Sequence, residues 1–375
     1  KRYNQFILRA TKYYNRKNLN KCLAFLKAAS ETAYFFNLGF KDDIIEEYLK
    51  KISHYFEKDI SNIDFLNNNC VFFDSFCLDN KGLTQQYVRS IIYAGWNLMY
   101  IYESNEIGHD ILNDINQYEK STIIHVPSFI NGTEKSKFIY DTIIEFRPTK
   151  LFMHISPSAV YAVTAFYALP KQIEKYQINL TDYTFWIGAG CLDYSLEYQF
   201  YGASLSIYQR KIPKNNVFII PFYSIVTNTL FMDLPYQCKD KIVIIAGGAY
   251  YKIIDEKDTF FKLMKIVLEI SEDVVIIYAG DGDSILFRKF IQNNNYENRL
   301  LLIGYRKDIN EVIKNSDIYL NTYPYSGGLL CHYAAQNSKP ILSFSSKGLT
   351  QVEEMICQRK KIDISLFDFK SFRAE

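Results

Sequence analysis

Twice along this chain of 375 residues, short apolar runs alternate with amphipathic helical stretches, and that alternation restricts the fold more than any other feature. The first series begins near residue 70. "CVFFDSF" reads as a buried strand, "GLTQQYVRSIIYAG" as an amphipathic helix and "NLMYIYE" as the next strand. "STIIHVPS", "KLFMHIS" and "YTFWIGA" continue the strands, with "KSKFIYDTIIEFRP" as a helix among them, and "NNVFIIPFY" follows a looser segment at 190–213. Residues 222–240 lack a clear period and contain Pro235, which marks a boundary. The pattern then restarts with "DKIVIIAGG", "VVIIYAGDG", "RLLLIGY", "IYLNTYPYSGG" and "PILSF" as strands. "KDTFFKLMKIVLEIS", "SILFRKFIQN", "DINEVIKNSD" and "LLCHYAAQNS" are the helices between them. Strand–helix–strand alternation builds parallel sheets covered on both faces. The sequence therefore predicts an α/β chain of two Rossmann-like, doubly wound domains, at 66–222 and 223–375. A helical extension at 1–65 precedes them, with Leu23, Leu26, Ala29 and Ala33, then Ile44, Tyr48, Ile52 and Tyr55, at helical spacing.

The strongest local signal is "NTYPYSGGLLCHYAAQNSKPILS". A strand ends, a loop of Tyr325, Ser326, Gly327 and Gly328 turns, and a helix begins near Leu329. Glycine lets backbone approach a ligand, and a helix N-terminus offers amides and positive potential to a phosphate. A second strand ends in Gly247 and Gly248, and Lys252 in the following loop can neutralise a pyrophosphate. Neither these segments nor "GAGCLDY" nor "GDGDS" fits G-x-G-x-x-G, which argues against a dinucleotide site of the dehydrogenase kind.

These segments carry a resemblance. "AGGAYYKIIDEKDTF" resembles a donor loop of the O-GlcNAc transferase catalytic domain, and "NTYPYSGG" with its following helix resembles that family's diphosphate loop. "NLTDYTFWIGAGCLDYSLEYQFYGASLSI" is similar to bacterial cytoplasmic N-glucosyltransferases. The resemblance implies a GT-B fold, with its two domains facing across a cleft. It also implies a nucleotide-sugar donor, usually UDP-linked, and an inverting, metal-independent transfer to a glycan or protein acceptor. By position, Lys252 would meet the diphosphate, Gly327, Gly328, Leu329 and Leu330 would present backbone to it, and Arg306 and Lys307 would lie near the base. The family's Thr positions are Leu329 and Leu330 here, and Tyr333 beside His332 stands where it has an acidic residue.

An inverting transfer needs a group to take or orient the acceptor proton. Among five histidines, His154 ends a strand; Asp182 ends another segment, and Asp79 lies in the first strand–helix loop with Gly82 on the acceptor side. These three remain alternatives. A nucleotide-sugar epimerase and a non-catalytic subunit supporting a partner transferase are the competing functions. Net charge of +2 gives no bulk field for nucleic acid. The seven cysteines form no C-x-x-C, HxxxH does not occur, and the D-x-D of Asp281 and Asp283 within "GDGDS" reads as a turn, so neither a disulfide framework, a metal nor a cofactor is expected. No apolar run of about 18 residues is present. These features predict a cytoplasmic location, with peripheral attachment at the inner membrane surface as a variant.

Overall fold

The structure, a computed structural model, describes residues 2–77, 83–104, 109–182, 184–221, 224–225 and 229–344. Asp79 and Gly82 lie outside the described residues. The described residues form two compact units, the first from residue 2 to 221 and the second from 224 to 344.

The first unit opens with α1 (Arg2–Asn15), α2 (Leu19–Phe35) and α3 (Asp43–Ser53). Asp42 caps α3 through its carboxylate, accepting from Ile44 N at 2.8 Å and Ile45 N at 3.0 Å. The sheet follows: β1 (Leu66–Asp74), α4 (Leu83–Tyr93), β2 (Asn97–Tyr102), α5 (His109–Asn116), β3 (Ser121–His125), α6 (Gly132–Phe146), β4 (Pro148–His154), α7 (Val160–Ala168), β5 (Glu174–Ile178), β6 (Tyr194–Glu197), α8 (Phe200–Tyr208) and β7 (Val217–Ile219). All pairings are parallel, in the order β3-β2-β1-β4-β5-β6-β7. Along β1, Val71 and Phe73 join one core with the three leading helices, α6 and α7, while Cys70 and Phe72 join another with α4 and α5. The period of two thus divides one strand between two cores, as helices on both faces require.

The second unit repeats the plan: β8 (Ile242–Gly247), α9 (Thr259–Ile270), β9 (Val274–Ala279), α10 (Ile285–Asn294), β10 (Leu300–Leu302), α11 (Ile309–Lys314), β11 (Ile318–Leu320), α12 (Gly328–Gln336) and β12 (Ile341–Leu342). Its five parallel strands run β10-β9-β8-β11-β12. Val243 and Ile245 face one core, Ile244 and Ala246 the other.

One strand expectation fails. The described residues of "YTFWIGA", 184–189, form no strand; Phe185, Trp186 and Ile187 are buried in a loop. The reason lies in what the backbone bonds. Trp186 N reaches Phe40 O, and Gly188 N donates to the Glu46 carboxylate of α3 at 2.6 Å, so these amides serve side chain and loop instead of a ladder. The indole packs 4.8 Å from the buried Arg210 guanidinium. Conversely, the loose segment 190–213 holds β6 and α8.

Candidate active site

In each sheet the chain order reverses at one place, between β1 and β4 and between β8 and β11. Ligands of open α/β sheets bind at the carboxyl ends of the strands flanking such a reversal.

In the second unit, β8 and β11 pair in register through Ile244 with Ile318 and Ile245 with Tyr319. Their ends bring the two glycine turns together. A Cβ at Gly327 would meet Tyr319 Oη at 2.5 Å and stand 3.6 Å from Gly247 O; one at Gly247 would meet Ala279 O at 2.6 Å and Leu330 Cδ1 at 2.9 Å. Only glycine permits this closeness. Leu330 thereby packs its side chain on the first turn, a role distinct from its backbone. The first helical bond of α12 joins Cys331 N to Gly327 O at 3.0 Å, so the amides of Gly328, Leu329 and Leu330 precede the hydrogen-bonded helix. Asn321 shapes the loop: its Oδ1 accepts from Gly327 N at 2.9 Å, and its Nδ2 donates to Ser326 Oγ at 3.1 Å and Ser343 Oγ at 3.2 Å.

Lys252 lies on a short 3-10 turn after β8, and its Cδ stands 3.3 Å from where a Gly248 Cβ would be. Its carbonyl accepts from Tyr325 N at 3.2 Å, and Tyr251 meets Tyr325 edge to face at 6.0 Å, which ties the two loops. Burial pushes the Cys331 thiol up to about 12, while the Tyr319 hydroxyl and the Lys252 charge act in the opposite sense. A helix N-terminus, amides that precede its first hydrogen bond and a lysine thus lie at one strand edge, an arrangement that can meet an anion. His332 is half-buried in the same helix, and burial lowers its pKa below the ordinary 6.5.

Arg306 has a different task from a base contact. Its Nε donates to Asp308 Oδ1 and its Nη2 to Asp308 Oδ2, both at 2.6 Å, and Nη1 donates to Asp233 O at 3.1 Å. Asp308 is 1% exposed and also accepts from Met232 N at 2.8 Å, so this fork fastens residues 232–233 to the start of α11. Lys307 is exposed beside it.

In the first unit, Asp74 and His154 are register partners at the last positions of β1 and β4. Both are fully buried, and Nδ1 lies 3.0 Å from Asp74 Oδ1 and 3.2 Å from Thr84 Oγ1. Burial alone would raise the Asp74 carboxyl. The His154 charge and hydrogen bond, the Tyr100 hydroxyl at 2.7 Å and the Cys77 amide at 3.0 Å outweigh it and hold the carboxyl below its ordinary value. An ionised carboxylate only accepts, so Nδ1 carries a proton and donates to Asp74, which leaves Nε2 as the nitrogen not engaged by the pair. Nε2 is buried and has no hydrogen-bond partner among the described residues. Asp74 and Thr84 were not among the sequence candidates; Asp74 lies within "CVFFDSF", where a charge ending an apolar strand was the available signal.

Asp182 sits elsewhere, in a buried knot. Its Oδ2 accepts from Gln199 Nε2 at 2.9 Å, and its carbonyl and that of Thr184 each accept from Arg210 Nη2 at 2.7 Å. Burial lowers Arg210 to about 10, against the raising influence of Glu197 and Asp182. Glu197 accepts from Ser195 Oγ at 2.6 Å, Ser206 Oγ at 2.5 Å and Asn179 Nδ2 at 2.9 and 3.0 Å. The "GAG" turn is likewise occupied from within: Glu46 takes the Gly188, Ala189 and Gly190 amides and the Tyr167 hydroxyl. Among the described residues, no group of three or more His, Cys, Asp or Glu could hold a metal ion, and no helix is long and apolar enough to cross a membrane.

No family model and no curated protein matches the sequence. Solved structures do match in fold. HepE of Anabaena, in complex with UDP and glucose, is 11% identical over 73% of this chain and 80% of its own, with a TM-score of 0.50. TarM of S. aureus, bound to fondaparinux, α-GlcNAc-glycerol and UDP, is 10% identical over 77% of this chain and 91% of its own, with a TM-score of 0.54. A UDP-N-acetylglucosamine 2-epimerase is 11% identical over 77% and 80%, with a TM-score of 0.51. At these identities the likeness establishes the fold, an α/β chain of the GT-B class with Rossmann-like parallel sheets.

Proposed function

We propose that this protein is a glycosyltransferase that takes a sugar from a UDP-linked donor and passes it to a glycan or protein acceptor. The observation that carries the reading is the meeting of Gly247–Gly248, Lys252 and the N-terminus of α12 at the β8–β11 reversal. This is a site for two phosphates whose charge is met by one ammonium and three amides. The UDP-bound structures of the same fold support the choice of nucleotide, as does the resemblance of both loops to the O-GlcNAc transferase segments.

His154 is the base in this reading, and Asp74 orients it. The base takes the acceptor proton while the acceptor atom bonds to the anomeric carbon. The bond from that carbon to the diphosphate oxygen breaks, its electron pair leaves with UDP, and the configuration inverts. Lys252 and the α12 amides stabilise the charge that gathers on the departing diphosphate. The family's metal independence fits this division of labour and is part of the proposal. Arg306 and Asp182 serve structure.

The epimerase structure sharing this fold keeps a second reading open. Incubation with a panel of UDP-sugars, with and without glycan or peptide acceptors, decides between the two. Acceptor-dependent release of UDP supports transfer. Interconversion of UDP-sugars without acceptor assigns the epimerase, and binding of UDP with neither reaction assigns a supporting subunit.

A further inference from the structure

The helical extension carries a charge asymmetry that the proposed transfer does not use. The first thirty residues hold eight Lys and Arg and no Asp or Glu, whereas the rest of the chain holds 35 basic against 41 acidic residues. The first helix shows where those charges go. Arg2, Arg9 and Arg16 follow one another at seven-residue spacing, with Lys12 three beyond Arg9, so they line one side of α1 and its end. The opposite side is spent on packing: Tyr3, Phe6, Ile7, Ala10, Tyr13 and Tyr14 belong to the core shared with α2, α3, α6 and α7. Arg2, Arg9, Lys12, Arg16 and Lys17 are exposed, and among the described residues none of them forms an ion pair with a carboxylate.

The two leading helices form a hairpin, with Phe6 and Tyr13 against Phe25 and Lys21 over the Tyr13 ring. Its far end is apolar. Phe35 is 63% exposed, Phe36 73% and Leu38 55%, and the bond from the Tyr3 hydroxyl to Asp42 holds this turn beside Arg2. Leu8, on the basic side, is 69% exposed.

We infer that the α1–α2 hairpin is a docking surface for an anionic membrane. The cationic stripe, in which Arg9 lies over the Phe25 ring and no member meets a carboxylate among the described residues, attracts acidic headgroups, and Phe35, Phe36 and Leu38 enter the interface between headgroup and acyl chain. A soluble polyanion would match the charge and leave the exposed aromatic tip without a partner, which is why the lipid surface is the better fit. The attachment is peripheral, by an apolar tip and charge together, each marginal alone.

The test is flotation of the full chain with vesicles of phosphatidylcholine alone and of phosphatidylcholine with roughly one-third phosphatidylglycerol. Binding to the anionic vesicles only, weakening as salt is raised, is expected. The variant carrying Arg2→Gln, Arg9→Gln, Lys12→Gln and Arg16→Gln should bind about 100-fold or more weakly, since each cation near such a surface contributes about fivefold. It should keep its melting temperature and UDP affinity. A second variant, Phe35→Ser with Phe36→Ser, should lose the binding that survives high salt. Absence of vesicle binding, equal binding to both vesicle types, undiminished binding by the quadruple variant, or retention of heparin or duplex DNA in place of vesicles would each overturn the inference.

Discussion

Replacing Gly327 with alanine is the sharpest test of how the proposed diphosphate loop is built. The glycine has φ −89°, an ordinary value, so backbone strain plays no part. At such positions Gly→Ala usually stabilises by about 0.4–1 kcal/mol through the unfolded chain. Here the new methyl would stand 2.5 Å from Tyr319 Oη. Tyr319 is fully buried, so its hydroxyl has nowhere to swing, and overpacking of this kind costs about 1–3 kcal/mol. The net expectation is a loss of about 1–2 kcal/mol, read from the urea midpoint by circular dichroism, with weaker UDP binding because the start of α12 must shift. The rescue is specific. Tyr319→Phe removes the clashing atom and forfeits two long hydrogen bonds, at 3.4 Å each, to Asn321 Oδ1 and Gly327 O, together with the contact to the Cys331 thiol. It should cost less than about 1 kcal/mol alone. In the double variant it should recover most of the Gly327→Ala loss, a favourable coupling of about 1 kcal/mol or more. Gly327→Ala as stable as the wild type, or a strictly additive double variant, would refute the close-approach argument.

Other outcomes follow from the same geometry. His154→Gln should lower transfer by about 10²–10⁴-fold with UDP affinity intact, and Asp74→Asn should do the same by turning the ring; an unchanged pH–rate profile in Asp74→Asn would remove the orienting role. Because the fold lowers the Asp74 pKa, its stabilisation is present above the unfolded value near 3.8 and is lost as pH falls below it. Asp74→Asn should therefore flatten the acid limb of the stability curve. Arg306→Ala strands the buried Asp308 carboxylate and should cost about 3–5 kcal/mol; weaker UDP binding at unchanged stability would instead return Arg306 to the base. Glu46→Ala leaves the amides of residues 188–190 without their acceptor and should destabilise by about 2–4 kcal/mol in the same denaturation assay.

The parallel sheets were legible where strands carry short apolar runs, as in β8 and β9, and where some end in glycine or an acidic residue, as β8 does at Gly247 and β1 at Asp74. The segment "YTFWIGA" deceived for the same reason: its apolar run is buried by Arg210 and Phe40, from distant parts of the chain, and its amides by Glu46. The glycine turn before α12 could be read from Gly327 and Gly328 alone, but Asn321, which holds that turn's shape, looks like any polar residue after a strand. His154 stood out as a histidine at a strand end. Its partner did not, because the pairing of Asp74 with His154 is set by the register of β1 against β4, eighty residues apart in the chain. Arg306 shows the converse: a guanidinium near the right loop is taken up by Asp308, two residues on.

The central claim is that the β8–β11 reversal holds the diphosphate of a UDP-linked donor. The direct measurement is thermal stabilisation by UDP, with other nucleotides and the Lys252→Ala variant as controls. A ligand at a hundredfold excess over its dissociation constant adds about 2.7 kcal/mol to the folded state, which raises the melting temperature by a few degrees. The account predicts such a rise with UDP and UDP-sugars, at least tenfold higher ligand demand in Lys252→Ala, and none with adenine nucleotides. No rise with any nucleotide, or a rise that Lys252→Ala leaves untouched, would contradict it.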